Sequence, residues 1–157
     1  MNDERPKFVA DEMLGSLSRW LRIMGYDTAY EKDMEDMEIL RLAEREKRIL
    51  LTRDKDLVRR AGENGFLVED DDLSAQLRQV SEALGLELDE SLTRCTLCNG
   101  ELDIVSPEAV RDRVPIGALE SNDEFYRCRK CGKIYWKGSH WDNILVRLSS
   151  LDPEANR

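Results

Sequence analysis

The chain's four cysteines fall into two pairs of identical spacing, Cys95-Thr-Leu-Cys98 and Cys128-Arg-Lys-Cys131, with 29 residues between the pairs. This pattern limits the fold more tightly than any other, because two C-x2-C hairpins can converge on one tetrahedral ion and pin the segment between them. Glycine follows each pair closely, at Gly100 and Gly132. A backbone without Cβ can fold under a metal there and aim its amides at the sulfurs. Disulfides are the competing use of four thiols, and they belong to oxidising compartments. The N-terminal MNDERPK has neither an apolar run nor a small-residue cleavage site, so a cytoplasmic chain with reduced thiols is expected. Four sulfur ligands leave no position open to a substrate, which makes the expected ion a structural Zn2+. A piece of ~60 residues buries only about 60% of its unfolded surface and usually needs such a staple.

Upstream of the cysteines the pattern is one of short apolar runs alternating with helical periodicity. Residues 7–10 read as a strand. Residues 12–24 place Met13, Leu17, Trp20, Leu21 and Met24 on one helical face, with Gly25 as a stop. A second strand is expected at 27–30, a helix at 36–48 through Ile39, Leu40 and Ala43, and a third strand at 49–52. A short helix at 57–61, a strand at 65–69 and a helix at 73–84 complete the series. Strands and helices in this order imply a parallel sheet with helices on both faces. The pattern ends near residues 86–91, so the expected units are 1–90, α/β, and 91–157, small and β-rich. The second should hold strands at 101–105, 124–127 and 133–136 and a last helix near 141–148. No apolar run approaches the ~20 residues that cross a bilayer, so no membrane partner is expected.

The formal net charge of −9 resides wholly in residues 1–90, with 23 acids against 14 basic residues, while 91–157 balances 10 against 10. Such a chain does not coat a polyanion by its field alone. In parallel α/β sheets, ligands bind outside the carboxyl ends of the strands where strand order reverses. Asp11 follows the first strand, Asp54 and Asp56 follow the third in Thr-Arg-Asp-Lys-Asp, and Asp36 opens the second helix. All are expected on one edge, without an evident cationic partner for each. Like charges held close repel unless a cation intervenes. Hard oxygen ligands suit Mg2+ or Mn2+, which lower the pKa of bound water and neutralise a phosphoryl group. Three of these acids also have a local use, Asp36 or Asp56 as a helix N-cap and Asp54 in closing a turn, whereas Asp11 at a strand end is less readily explained that way.

Five stretches together resemble the Mut7-C RNase family: FVADEMLGSLSRWLRIMGYDT (residues 8–28), ILLTRDKDL (49–57), the paired cysteines, RDRVP (111–115) and YWKGSHW (135–141). They occur in the same order across nearly the whole chain. The resemblance implies a PIN-like nuclease domain followed by a zinc ribbon, acting as a metal-dependent ribonuclease on RNA phosphodiester bonds. By motif, Asp11 matches the acid after the first PIN-like strand, Asp36 the acid opening the following helix, and Asp54 and Asp56 the T-x-D-x-D pair. Asp11, Asp36 and Asp54 would then hold Mg2+ or Mn2+, with Asp56 a second ligand or a water-orienting group. PIN domains often use a further acid after the fourth strand, and here Glu69-Asp-Asp-Asp72 offers four candidates. The alternative is a non-catalytic adaptor that binds RNA or protein through the ribbon surface.

An acidic nuclease must still grip a polyanion, single-stranded or structured. The first helix carries Arg19 and Arg22 three residues apart, on a shared face. In the ribbon, residues 127–137 contain Arg127, Arg129, Lys130, Lys133 and Lys137, no acids, and Tyr135 beside Trp136. Basic groups interleaved with aromatics suit phosphate pairing and base stacking, although the aromatics could equally fill a small core. His140 is the one histidine. It cannot form a histidine pair for metal-free RNA cleavage, and its expected role is structural or RNA-contacting.

Overall fold

Val9 and Leu50 face one side of a sheet while Phe8, Ala10 and Leu51 face the other, and none of the five is more than 2% exposed. Burial on both faces is what a parallel sheet with crossover helices demands. A computed structural model describes residues 5–87 and 92–149, with His140 and Ser149 by backbone alone. The expected boundary at 90/91 and the side-chain role of His140 therefore lie outside the described residues.

Strands β1 (Phe8–Ala10), β2 (Thr28–Ala29), β3 (Ile49–Thr52) and β4 (Gly65–Leu67) form a parallel sheet in the order β2-β1-β3-β4. Helix α1 (Gly15–Ile23), preceded by a 3-10 turn at Glu12–Leu14, packs with α4 (Leu73–Leu84) on the face of Phe8 and Leu51. Helices α2 (Asp36–Glu46) and α3 (Lys55–Ala61) cover the opposite face through Ile39, Ala43 and Leu57. Leu17, Leu21, Leu77 and Leu57 are at most 1% exposed, each contributing about 1.5–3 kcal/mol by burial. The alternation read from the sequence is thus the observed architecture. Element ends differ in small ways with local causes. Helix α2 stops at Glu46, two residues early, because Lys47 turns left-handed (φ 55°) and its N–H closes on the Ala43 carbonyl. Helix α3 starts two residues early because Asp54 caps it.

The chain leaves β1 toward β2 and leaves β3 toward β4, so connections depart in opposite directions from two neighbouring strands. Their carboxyl ends define the switch point at which this class of sheet binds ligands. Asp11 and Thr52 are the residues that end there.

The second unit is an antiparallel sheet in the order β5-β6-β7, built from β5 (Leu102–Val105), β6 (Phe125–Cys128) and β7 (Ile134–Tyr135). Two short helices, α5 (Pro107–Val110) and α6 (Ile116–Ser121), join β5 to β6, and periodicity over so few residues did not reveal them. A start signal was nonetheless present for α5: Ser106 accepts from the Ala109 amide, and Pro107 occupies the first turn. Helix α7 (Ser139–Ser149) returns to the first unit. It inserts Leu148, with Ile144 alongside, into the core of α1 and α4, and its Arg147 guanidinium lies 4.9 Å above the Trp20 ring.

Candidate functional site

At the carboxyl edge of the sheet, one buried hydroxyl joins two of the expected acids. Thr52 is 0% exposed. Its Oγ1 donates to Asp11 Oδ2 at 2.8 Å and accepts the Asp54 amide at 3.0 Å. Asp54 Oδ1 in turn accepts the amides of Asp56 (2.8 Å) and Leu57 (3.3 Å), capping α3. Of the local uses weighed for Asp54 and Asp56, then, Asp54 takes the cap. Asp56 lies in the first turn and pairs with Arg59. Asp36 is no cap either, for Glu35 holds that position without a side-chain bond, and the Asp36 carboxylate sits 4.0 Å from Arg60 Nη1.

The expectation that these acids lack cationic partners is therefore corrected for Asp36 and Asp56, each of which has an arginine from α3. Among the described residues, the four cysteines alone bring three or more ligand atoms within reach of one ion. The bridge at the acidic edge joins Asp11 to Asp54 only. Of the acids after β4, Asp72 caps α4 through the Ala75 amide. Four exposed cations that sequence reading passed over flank these acids in the chain, Arg53, Lys55, Arg59 and Arg60, and Arg59 and Arg60 reach Asp56 and Asp36. Their signal was visible, since all four lie within six residues of Asp54.

The cysteine cluster forms where the two C-x2-C hairpins meet. The four sulfurs lie within 4.8 Å of one another, with Cys95 Sγ 3.6 Å from Cys131 Sγ and Cys98 Sγ 3.4 Å from Cys128 Sγ. A tetrahedral Zn2+ with 2.3 Å bonds spaces its sulfurs about 3.8 Å apart, so the donor set and its spacing fit this ion. Glycine at 100 is required: a Cβ there would lie 2.7 Å from Cys128 Sγ and 3.2 Å from Cys98 Sγ. Burial and the neighbouring thiols push Cys98 up to about 12. At Cys128 the Cys131 and Lys130 amides outweigh burial and pull the thiol down to about 7. A cation is what stabilises all four as thiolates together. The Tyr135 hydroxyl stands 3.0 Å from Cys95 Sγ and accepts the Thr96 amide at 3.1 Å. Burial and Cys95 raise this phenol to about 12, so it keeps its proton.

Between the two units lies a polar clamp. Arg22, an expected RNA contact, is only 5% exposed. Its Nε donates to the Thr28 carbonyl (2.9 Å) and its Nη1 to the carbonyls of Thr96 (3.0 Å) and Leu97 (3.3 Å) inside the first cysteine hairpin. The guanidinium thus faces protein rather than solvent. Asn99, at φ 70°, adds its carboxamide to the exposed edge of β2: Oδ1 accepts the Thr28 amide (2.9 Å) and Nδ2 donates to Asp27 Oδ1 (2.7 Å). An otherwise open strand edge is closed in this way. Arg48 binds the same Asp27 oxygen at 2.8 Å. Burial would raise the Asp27 carboxyl, but the bonds from Arg48 and Asn99 outweigh it and hold it below its usual range.

The other expected RNA contacts divide. Arg19, Arg127, Lys130, Lys133 and Lys137 are exposed. Arg129 is held by Glu101 (2.6 Å) and Asp103 (2.8 Å). Trp136 tilts against Phe125 with ring centroids 6.1 Å apart. No helix among the described residues is long and apolar enough to cross a membrane.

Sheet order, crossover helices and cysteine cluster define a two-unit class, in which a parallel α/β sheet covered on both faces by helices, with an acidic carboxyl edge, carries a small four-cysteine module. Within that class the chain belongs to the Mut7-C RNAse domain family, whose pattern matches residues 6–148. The family's name suggests a nuclease-like function acting on RNA. Neither a curated protein nor a solved structure matches the chain.

Proposed function

We propose that the chain is a metal-dependent ribonuclease that hydrolyses RNA phosphodiester bonds at the edge shared by Asp11 and Asp54. The observation that carries this reading is the Thr52 hydroxyl, which couples the acid after β1 to the backbone of the acid after β3. A buried threonine bridging two acids at a switch point exceeds what helix capping requires. Mg2+ is commonly held through one or two carboxylates, keeping several waters and taking further ligands from phosphate, so Asp11 and Asp54 fit Mg2+ or Mn2+. Bound there, the ion would supply an activated water and neutralise charge on the phosphoryl group.

The residues of the chain do the positioning. Asp11 gives one oxygen to Thr52 and Asp54 gives one to the α3 amides, which anchors each carboxylate and would leave its second oxygen to an ion. Arg53, Lys55, Arg59 and Arg60 attract the RNA backbone to this edge. Arg59 and Arg60 pair with Asp56 and Asp36; were they drawn to phosphate, those two acids would be able to orient water or help hold a second ion. Residues 1–90 carry the hydrolysis, and residues 91–157, organised by a structural Zn2+, supply RNA-binding surface. Reduced thiols suit a cytoplasmic location.

Labelled RNA incubated with and without Mn2+ tests the proposal. The expected result is Mn2+-dependent cleavage, abolished in Asp11→Asn and Asp54→Asn with the fold retained, since Asn caps helices as well as Asp. Full activity in both variants overturns it. RNA retention with no cleavage under any metal favours the adaptor instead.

A further inference from the structure

Where α1, α7 and the ribbon meet, the structure forms a half-open cavity of about 360 Å3, within the range of about 300–1,000 Å3 that small-molecule sites occupy. Ile23, Ile144, Trp136 and Trp141 form its apolar walls, and Arg94 and Lys133 lie along its side. Three features limit what can fill it. Three aromatic residues line it, Tyr135 and Trp136 from the end of β7 and Trp141 from α7. None of the described lining residues is acidic, in a chain whose net charge is −9. Two cations are also set over its aromatic rings: the lining Lys133, with Nζ 5.2 Å from the Tyr135 centroid, and Lys137, with Nζ 5.8 Å from that of the lining Trp141. Arg94 is engaged with Asp27 and Asn99, which leaves Lys133 and Lys137 as the cations facing outward.

We infer that this cavity receives one unstacked base of single-stranded RNA, with the flanking phosphates on Lys133 and Lys137. The choice of RNA rests on the ribonuclease reading. An apolar peptide would use the walls but would gain nothing from cations unopposed by acid. A free phosphate would use the cations but leave the indoles empty. A base joined to its phosphates uses both, and stacking on aromatic side chains is the general means by which single strands are held. The site lies at the joint between the two units, so a strand bound there spans from the ribbon toward α1, beyond the basic run the sequence displays.

The test reads binding and not turnover. Zinc-loaded Asp11→Asn protein is titrated with an octauridylate and with an abasic ribose-phosphate strand of equal length, following tryptophan emission. Two of the three tryptophans line the cavity, so the base-bearing strand should quench strongly and bind at least tenfold tighter than the abasic strand. Lys133→Glu, at an exposed position, should weaken the octauridylate about tenfold with the melting temperature unchanged. Equal affinity for the two strands overturns the inference. So does an emission change that depends on protein concentration alone, which means a second copy occupies the cavity. Cleavage by the wild-type chain without base discrimination removes the cavity proposal and leaves the nuclease standing. Discrimination without cleavage does the reverse.

Discussion

Replacing Arg22 by Met separates a buried clamp from a nucleic-acid contact. The guanidinium reaches one carbonyl on β2 and two in the first cysteine hairpin. A buried carbonyl left without a donor costs about 1–3 kcal/mol; the Thr28 bond is buried and those to Thr96 and Leu97 are part-buried, so the loss stays below the ~9 kcal/mol of three fully buried orphans. Removing a buried cation returns several kcal/mol of desolvation, so the net expected loss is about 3 kcal/mol. In a chain of this size ~1 kcal/mol moves the melting temperature by about 2–4 °C, and the variant should melt about 6–12 °C lower. Arg22→Lys should fall between the two, because an ammonium cannot fork to both units. Circular dichroism melts of zinc-loaded protein give the shift. Transfer of zinc to a competing chelator should also quicken, since Thr96 and Leu97 lie between two of the ligands. If Arg22→Met melts within about 2 °C of the wild type and holds zinc equally well, the clamp contributes little and the reasoning fails.

Thr52→Val keeps the shape of the side chain and removes the hydroxyl that joins Asp11 to Asp54. Outer hydrogen bonds to metal-ligating groups are typically worth 10–100-fold, so Mn2+-dependent cleavage should fall by about tenfold or more, measured against circular dichroism to confirm the fold. Gly100→Ala places a methyl 2.7 Å from Cys128 Sγ. Zinc content after dialysis against a weak chelator should drop well below the wild type, and equal content would mean the hairpin yields. Asp27 titrates below its usual range in the folded state. Its stabilisation is therefore complete above the unfolded value of about 3.9 and disappears as pH falls through the lower folded value. Asp27→Asn should melt below the wild type by a constant margin from pH 8 to 5, and the gap should close at more acid pH. Zinc loss in acid is common to both proteins, so a gap that is flat throughout would refute the assignment.

Much of the fold was legible because local patterns encode it. Apolar runs such as Phe8–Ala10 and Ile49–Thr52 have the length and composition of strands buried on both faces, and the stripe of Leu17 and Leu21 has the helical period. Acids placed directly after strands of a parallel sheet come to one edge by topology alone, which is why Asp11 and Asp54 could be paired across 43 positions. The C-x2-C spacing carried the thiolate cluster in the same way, because hairpin geometry is local.

What the sequence left open were choices among equivalent groups, decided by register between distant segments. Asp54 and Asp56 are both good caps, and the Thr52 hydroxyl under the Asp54 amide selects the first. Arg19 and Arg22 share a helix face on paper. A rotation toward β2 exposes one to solvent and buries the other against carbonyls 74 and 75 residues away. The return of α7 to the core of α1 and α4, and the cavity it closes with Trp136, likewise exist only once the two units are docked. Periodicity records how a segment pairs with its own neighbours along the chain. Partners for a buried guanidinium or an open strand edge are set by desolvation, and that is decided only when whole layers meet.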